Sequence, residues 1–144
     1  MKVREAIREL EADGWYLVTT KGDHRQFKHP NKPGRVTVPG HPNDDLAPKH
    51  ATASFDRRDC PNRGKDMRYL IIIEQADHNL SAYVPDLPGC VTTGATREEV
   101  IANMRKAIAF HLEGMRADGD PVPQPNSDPA WVDISQPAAN VGIN

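Results

Sequence analysis

The sequence predicts an α+β protein of two small modules in tandem, the first ordered α-β-β-β and the second β-β-β-α-β. Three observations point there. Hydrophobic periodicity gives a short helix and three strands before residue 40, then strands around one long helix after residue 67. Charge changes along the chain: 8 Lys and Arg against 7 Asp and Glu in residues 1–48, 5 against 3 in residues 49–66, and 5 against 10 in residues 67–144. Between the two patterns, Pro42, Pro48 and Pro61 punctuate a stretch with only Leu46 and Phe55 as large apolar residues. Residues 1–48 are therefore assigned to a first module, 49–66 to a linker, 67–134 to a second module and 135–144 to a tail.

Val3, Ala6, Ile7 and Leu10 recur at helical spacing, and Gly14 supplies a stop, which predicts a helix over residues 2–13. Aromatic and β-branched residues 15–20 predict a strand, Lys21-Gly22-Asp23 a turn, and residues 25–29 a returning strand. Residues 35–38 form a third strand, closed by Pro39-Gly40. Asp45 and Pro48 have the chemistry of a helix start, but Ala51 and Phe55 make too thin a stripe to sustain one.

In the second module the apolar run 69–73 predicts a strand, residues 75–79 turn, and residues 80–84 pair back. Pro85-Asp86-Leu87-Pro88-Gly89 is a kinked corner before a short strand at 90–93. Thr96 and Glu99 form a capping box, and Val100, Met104, Ala107, Ile108, His111, Leu112 and Met115 trace one face of a helix over residues 97–117. Residues 131–134 are expected to add a last strand, with Trp15 and Trp131 packing in the cores and His111 a satisfied core histidine.

Two cysteines 30 residues apart, Cys60 and Cys90, give no disulfide framework and suit a reducing compartment. The charged N-terminus has no signal-peptide core, and no apolar run approaches membrane-spanning length, so a soluble cytoplasmic protein with no membrane partner is expected. His24, His29, His41, His50 and Cys60 match no closed zinc site, and no metal or other cofactor is expected. Glu74 and Asp86 are scattered rather than clustered as in a metal-dependent nuclease, and Asp86 is placed to fix the proline-flanked bend.

The sharpest candidate for chemistry is His24, which follows a turn expected to expose it. Residues 14–41 carry Lys21, Arg25, Lys28, Lys32 and Arg35 against Asp23 alone, a basic face suited to a polyanion. A histidine titrating near neutrality can take a proton from a ribose 2′-hydroxyl or give one to a leaving oxygen, while nearby cations hold the phosphate. That is metal-independent RNA cleavage. Lone histidines in turns are more often ordinary polar residues, so local sequence leaves both roles open. The acidic second module is expected to face this basic surface.

Gly14-Trp15, Lys21-Gly22-Asp23-His24, Gln26-Phe27-Lys28-His29-Pro30 and Gly34-Arg35-Val36-Thr37-Val38-Pro39 resemble the HicA family of toxins over residues 1–48. The resemblance implies a double-stranded-RNA-binding-like fold, messenger-RNA endonuclease activity, His24 as the single catalytic histidine, and Lys21, Arg25, Lys28, Lys32 and Arg35 as RNA contacts. Met67-Arg68-Tyr69, Tyr83-Val84-Pro85-Asp86-Leu87-Pro88-Gly89-Cys90 and Thr93-Gly94-Ala95-Thr96 resemble HicB antitoxins over residues 67–134. That likeness implies a partial ribonuclease-H-like fold that binds the toxin and covers its active site.

Two departures stand out. Residues 49–66 lack the apolar spacing of the final HicA helix, as a frame-shifted remnant of it would, and ten residues after Ile134 are too few for the DNA-binding domain that many HicB proteins carry. The expected partners are therefore mRNA and the toxin module in cis, and DNA is not among them. A linker too short to span would place the cover on a second copy, giving a homo-oligomer. The alternative is a non-enzymatic HicB-type antitoxin with a decayed toxin remnant, which neutralises a HicA-type toxin in trans. A generic double-stranded-RNA-binding module, resting on the basic hairpin alone, ranks behind both.

Overall fold

A computed structural model describes residues 1–47 and 67–136 of the chain. Helix α1 (Val3–Ala12) leads into β1 (Tyr16–Lys21), β2 (His24–Lys28) and β3 (Arg35–Pro39); then come β4 (Ile72–Gln75), β5 (Leu80–Tyr83), β6 (Val91–Gly94) and α2 (Arg97–Ala117). The strands form two three-stranded antiparallel sheets, β1-β2-β3 and β4-β5-β6, so the described residues are α+β as expected. The expected linker and the expectation that it lacks the final HicA helix, together with His50 and Cys60, fall in residues 48–66, outside the described residues; so do residues 137–144 of the tail.

Helix α1 starts at Lys2, whose backbone N–H donates to Glu5 Oε2 at 2.9 Å. Residues 44–46 return to hold this start: Val3 N donates to Asp44 O at 2.8 Å and Leu46 N to Met1 O at 2.7 Å. Leu46 is consequently buried beneath α1 with Val3, Ala6, Trp15, Phe27 and Val38. Strand alternation divides the first sheet into two faces. Phe27, Val36 and Val38 point into this core, while His24, Gln26 and Lys28, paired with Pro39, Thr37 and Arg35, present the opposite, polar face.

The second core gathers Ala82, Val84, Leu87, Cys90, Val100, Met104, Ala107, Leu112 and Met115. Thr96 caps α2 as expected, its side chain accepting from Glu99 N at 3.1 Å. Strand β4 starts at Ile72 rather than residue 69, because its partner β5 ends at Tyr83 before the Pro85 corner and leaves residues 69–71 no ladder. Tyr69 instead packs against the core and donates its hydroxyl to Pro123 O. That burial pushes the phenol up to about 12.

Two expectations fail after α2. Residues 131–134 form no strand, and Trp131 is 96% exposed rather than packed in a core. Their β-favouring composition finds no sheet edge here, and propensity without a pairing partner does not make a strand. Asp86 does more than shape its own bend: its carboxylate accepts from Asn126 N at 2.8 Å and Ser127 N at 2.7 Å, fastening the segment that follows α2.

The two sheets meet at β3. Thr37 N donates to Gly89 O at 2.6 Å, and Thr37 bridges Cys90 in parallel register. Gly89 has a φ of +84°, and a Cβ there would stand 2.5 Å from Arg35 O, so the approach requires glycine. Val91 then enters the core beneath the first sheet, and α2 lies across the polar face of β2 and β3.

Candidate functional site

Period-two alternation puts His24, Gln26 and Lys28 on one side of β2, and antiparallel pairing adds Thr37 and Arg35 beside them. His24 opens β2 and is only 4% exposed, which corrects the expectation of an open turn residue. The second module causes that burial. His24 Nε2 hydrogen-bonds Thr92 Oγ1 of β6 at 3.2 Å, and desolvation, ahead of the nearby charges, holds the imidazole below its ordinary pKa. A neutral imidazole with a hydroxyl at its Nε2 is the arrangement in which histidine accepts a proton.

The remaining polar groups of this face are satisfied by α2. Gln26 is fully buried and donates through Nε2 to Phe110 O at 2.8 Å, while its Oε1 accepts from Arg35 Nη1 at 2.7 Å. Thr37 Oγ1 and His111 Nδ1 share a 2.6 Å hydrogen bond. His111 is thus the satisfied buried histidine expected from sequence, and burial lowers its pKa to about 3. Each of these groups would cost about 1–3 kcal/mol if buried without its partner.

Charges complete the contact. Arg35 donates through Nε and Nη2 to the two oxygens of Asp118 at 2.8 and 2.9 Å, and Lys28 Nζ lies 3.1 Å from Asp118 Oδ1. The Arg35 hydrogen bonds, with help from Lys28, hold the Asp118 carboxyl below the usual carboxylate range. Lys21 pairs with Glu113 at 3.2 Å, both side chains about two-thirds exposed. Three of the five basic residues marked in the sequence therefore meet carboxylates of the second module. The other two stay within the first: Lys32 pairs with Asp13, and Arg25 donates to Gly40 O at 3.3 Å.

Beside His24 a cleft of about 290 Å³ is lined by Lys21, Gly22, Asp23, Lys106, Ala109 and Phe110. One wall is the β1–β2 turn and the other is α2, so both modules shape it. Among the described residues no three His, Cys, Asp or Glu side chains converge as a metal site, and no helix is long and apolar enough to cross a membrane.

Sequence reasoning missed the ridge of α2 that covers this face: Phe110, Gly114 and Asp118, four residues apart, with Lys106 one turn earlier. Gly114 is a point of close approach on this ridge, since a Cβ there would meet Gln26 Oε1 at 2.7 Å and Arg35 Cδ at 2.8 Å. The i, i+4 spacing of these four residues was the available signal. It was masked by the stronger apolar stripe next to it.

Comparison with known proteins agrees with this two-part architecture. Residues 3–53 match the family described as HicA toxin of bacterial toxin-antitoxin, and residues 69–138 match the HicB_like antitoxin of bacterial toxin-antitoxin system. An uncharacterised 14.9 kDa protein from the rep-hol intergenic region of Haemophilus phage HP1 is 41% identical over 71 residues, 49% of this chain and 52% of the phage protein. The chain thus spans about half the length of that relative. A UPF0150 protein of Thermoplasma acidophilum is 33% identical over 63 residues, covering 43% of this chain and 91% of its own length. One from Synechocystis is 37% identical over 57 residues, covering 39% and 72%. No solved structure matches. The chain belongs to the UPF0150 family, and its residues 3–53 are similar to HicA toxins and its residues 69–138 to HicB-like antitoxins of bacterial toxin-antitoxin systems.

Proposed function

We propose that residues 1–48 are an endoribonuclease module and that residues 67–134, tethered through residues 49–66, hold it inactive. The observation that carries this is the burial of His24 against Thr92, with Lys28 and Arg35 engaged by Asp118. In the mechanism, neutral His24 takes the proton of a ribose 2′-hydroxyl through Nε2, and the freed oxygen attacks the adjacent phosphorus. The P–O5′ bond breaks, and protonated His24 returns a proton to the leaving oxygen. Lys21, Arg25, Lys28, Lys32 and Arg35 hold the RNA backbone without reading its sequence.

The helix and three-stranded sheet of the first module fit a double-stranded-RNA-binding-like fold, and the second module fits a partial ribonuclease-H-like fold. Joining the two in one chain keeps the inhibitor at an effective concentration on the order of millimolar, so the closed state dominates at any dilution. A cytoplasmic protein acting on mRNA follows from this reading.

The test uses the whole chain. The unaltered protein should cleave RNA feebly, whereas Gly114→Val, which forces α2 off Gln26 and Arg35, should raise cleavage, and adding His24→Ala should abolish it. Vigorous cleavage by the unaltered chain would remove the self-inhibition. Absence of cleavage in a folded Gly114→Val protein would leave the antitoxin half as the working part, acting on a separate toxin.

A further inference from the structure

The face that α2 covers is polar where a dedicated adhesive surface would be apolar. Gln26 and Thr37 are fully buried and Arg35 nearly so, yet each is polar and each side chain finds a partner in the second module. Replacing buried ion pairs by well-packed apolar groups is often neutral or stabilising, so an interface serving adhesion alone has no need of this chemistry. Such a face makes sense when it must also receive a second, polar ligand.

The partners supplied by the second module have the chemistry of a nucleotide strand. Asp118 offers two oxygens to the Arg35 fork at 2.8 and 2.9 Å, with Lys28 on one of them, and carboxylate and phosphate satisfy that fork in the same bidentate way. Asp118 also caps α2 at its C-terminus, where the helix dipole adds negative charge facing the same cations. Thr92 offers a hydroxyl to His24 Nε2, and Phe110 offers a carbonyl acceptor to the Gln26 amide. His24 and Lys28 stand four residues apart on one strand, about 13 Å at the usual rise, so these groups line a track rather than a point.

We propose that the second module closes the first by imitating an RNA strand, with Asp118 in the place of a backbone phosphate and Thr92 in the place of the ribose hydroxyl presented to His24. This rests on the ribonuclease reading for the identity of the competing ligand. It adds that RNA and the second module compete for the same groups of the first, with Arg35 as the principal phosphate fork.

The experiment measures binding of a 2′-fluoro RNA oligonucleotide, which lacks the hydroxyl needed for cleavage, to the full chain. Asp118→Asn should tighten binding by about tenfold or more, the worth of a charge-assisted hydrogen bond. Adding Arg35→Lys, which keeps the charge and loses the fork, should cancel most of that gain. Glu98→Gln, which removes one negative charge from the exposed first turn of the same helix, should change binding less than about twofold. Equal tightening by Glu98→Gln and Asp118→Asn would reduce the effect to net charge and overturn the proposal. So would retention of the full gain after Arg35→Lys.

Should Asp118→Asn fail to fold, saturating RNA added to the unaltered chain decides. The Arg35 Nε–H proton resonance should shift as RNA displaces Asp118, and an unmoved resonance overturns the proposal. The two readings separate cleanly. Arg35-dependent binding with no cleavage of ordinary RNA keeps the imitation and removes the nuclease, whereas cleavage with Arg35-independent binding does the reverse.

Discussion

The two faces of the first sheet are filled by different physics. Phe27, Val36 and Val38 look onto α1, Trp15 and Leu46, where any well-shaped apolar surface serves and the gain scales with area removed from water. Gln26, Thr37 and Arg35 look onto α2 and His24 onto Thr92 of β6, where only groups of the right donor or acceptor type at the right place will do. The first face is therefore tolerant of detail and strongly stabilising. The second is modest in net energy and exacting in geometry, which suits a contact that has to hold and also be replaceable.

The largest expected effect breaks the apolar side. Phe27→Ala, leaving a cavity beneath the sheet, should cost about 3–5 kcal/mol and show in chemical denaturation as loss of the first module's cooperative unfolding. If it costs no more than an interface substitution, the two faces are not different in kind.

Acid should act next, and on the polar side. His111 has a folded pKa of about 3 against 6.5 for the ordinary group, so the folded protein keeps it neutral while the unfolded chain takes up a proton. Its contribution is complete above 6.5 and is lost progressively as pH falls toward 3, at up to about 1.4 kcal/mol per pH unit. His24 is shifted in the same direction, and the lowered Asp118 carboxyl adds a further loss at more acid pH as it is protonated. Stability measured between pH 7 and 4 should therefore fall, and His111→Gln should flatten that slope.

Thr37→Val keeps the shape of β3 and removes the hydroxyl that His111 Nδ1 contacts, so a loss of about 1–2 kcal/mol is expected in thermal denaturation. The smallest effect belongs to Glu113→Gln. Its pair with Lys21 is about two-thirds exposed on both sides, and a loss below about 1 kcal/mol, vanishing in high salt, is expected from urea titrations at two ionic strengths. A loss comparable to that of Thr37→Val would mean that rim charges, rather than buried partners, govern the polar face.

Much of this was legible beforehand. Helix α2 was readable because Val100, Met104, Ala107, His111 and Met115 keep one helical stripe and Thr96 announces its start. The first sheet was readable because turn chemistry separates its strands cleanly. The lost strand at Trp131 and the late start of β4 were not, since both depend on whether a neighbouring edge is free, and no local pattern reports that. His24 was legible as a residue type in a suggestive setting, whereas its burial was not, because the groups beside it, Thr92 of β6 and Lys106, Ala109 and Phe110 of α2, lie 68 or more residues away in the chain.

The sequence by itself determined the two modules, their opposed charges and the identity of the polar residues on β2 and β3, since these follow from composition and periods set within a few neighbouring residues. Tertiary structure alone decided that α2 lies on that polar face, that Gly114 and Gly89 are the points of closest approach, and that Asp118 and Thr92 are the groups meeting Arg35 and His24. The reason is physical: periodicity fixes which residues share a face, while the partner of a face is chosen by fit and hydrogen-bond satisfaction across the whole chain.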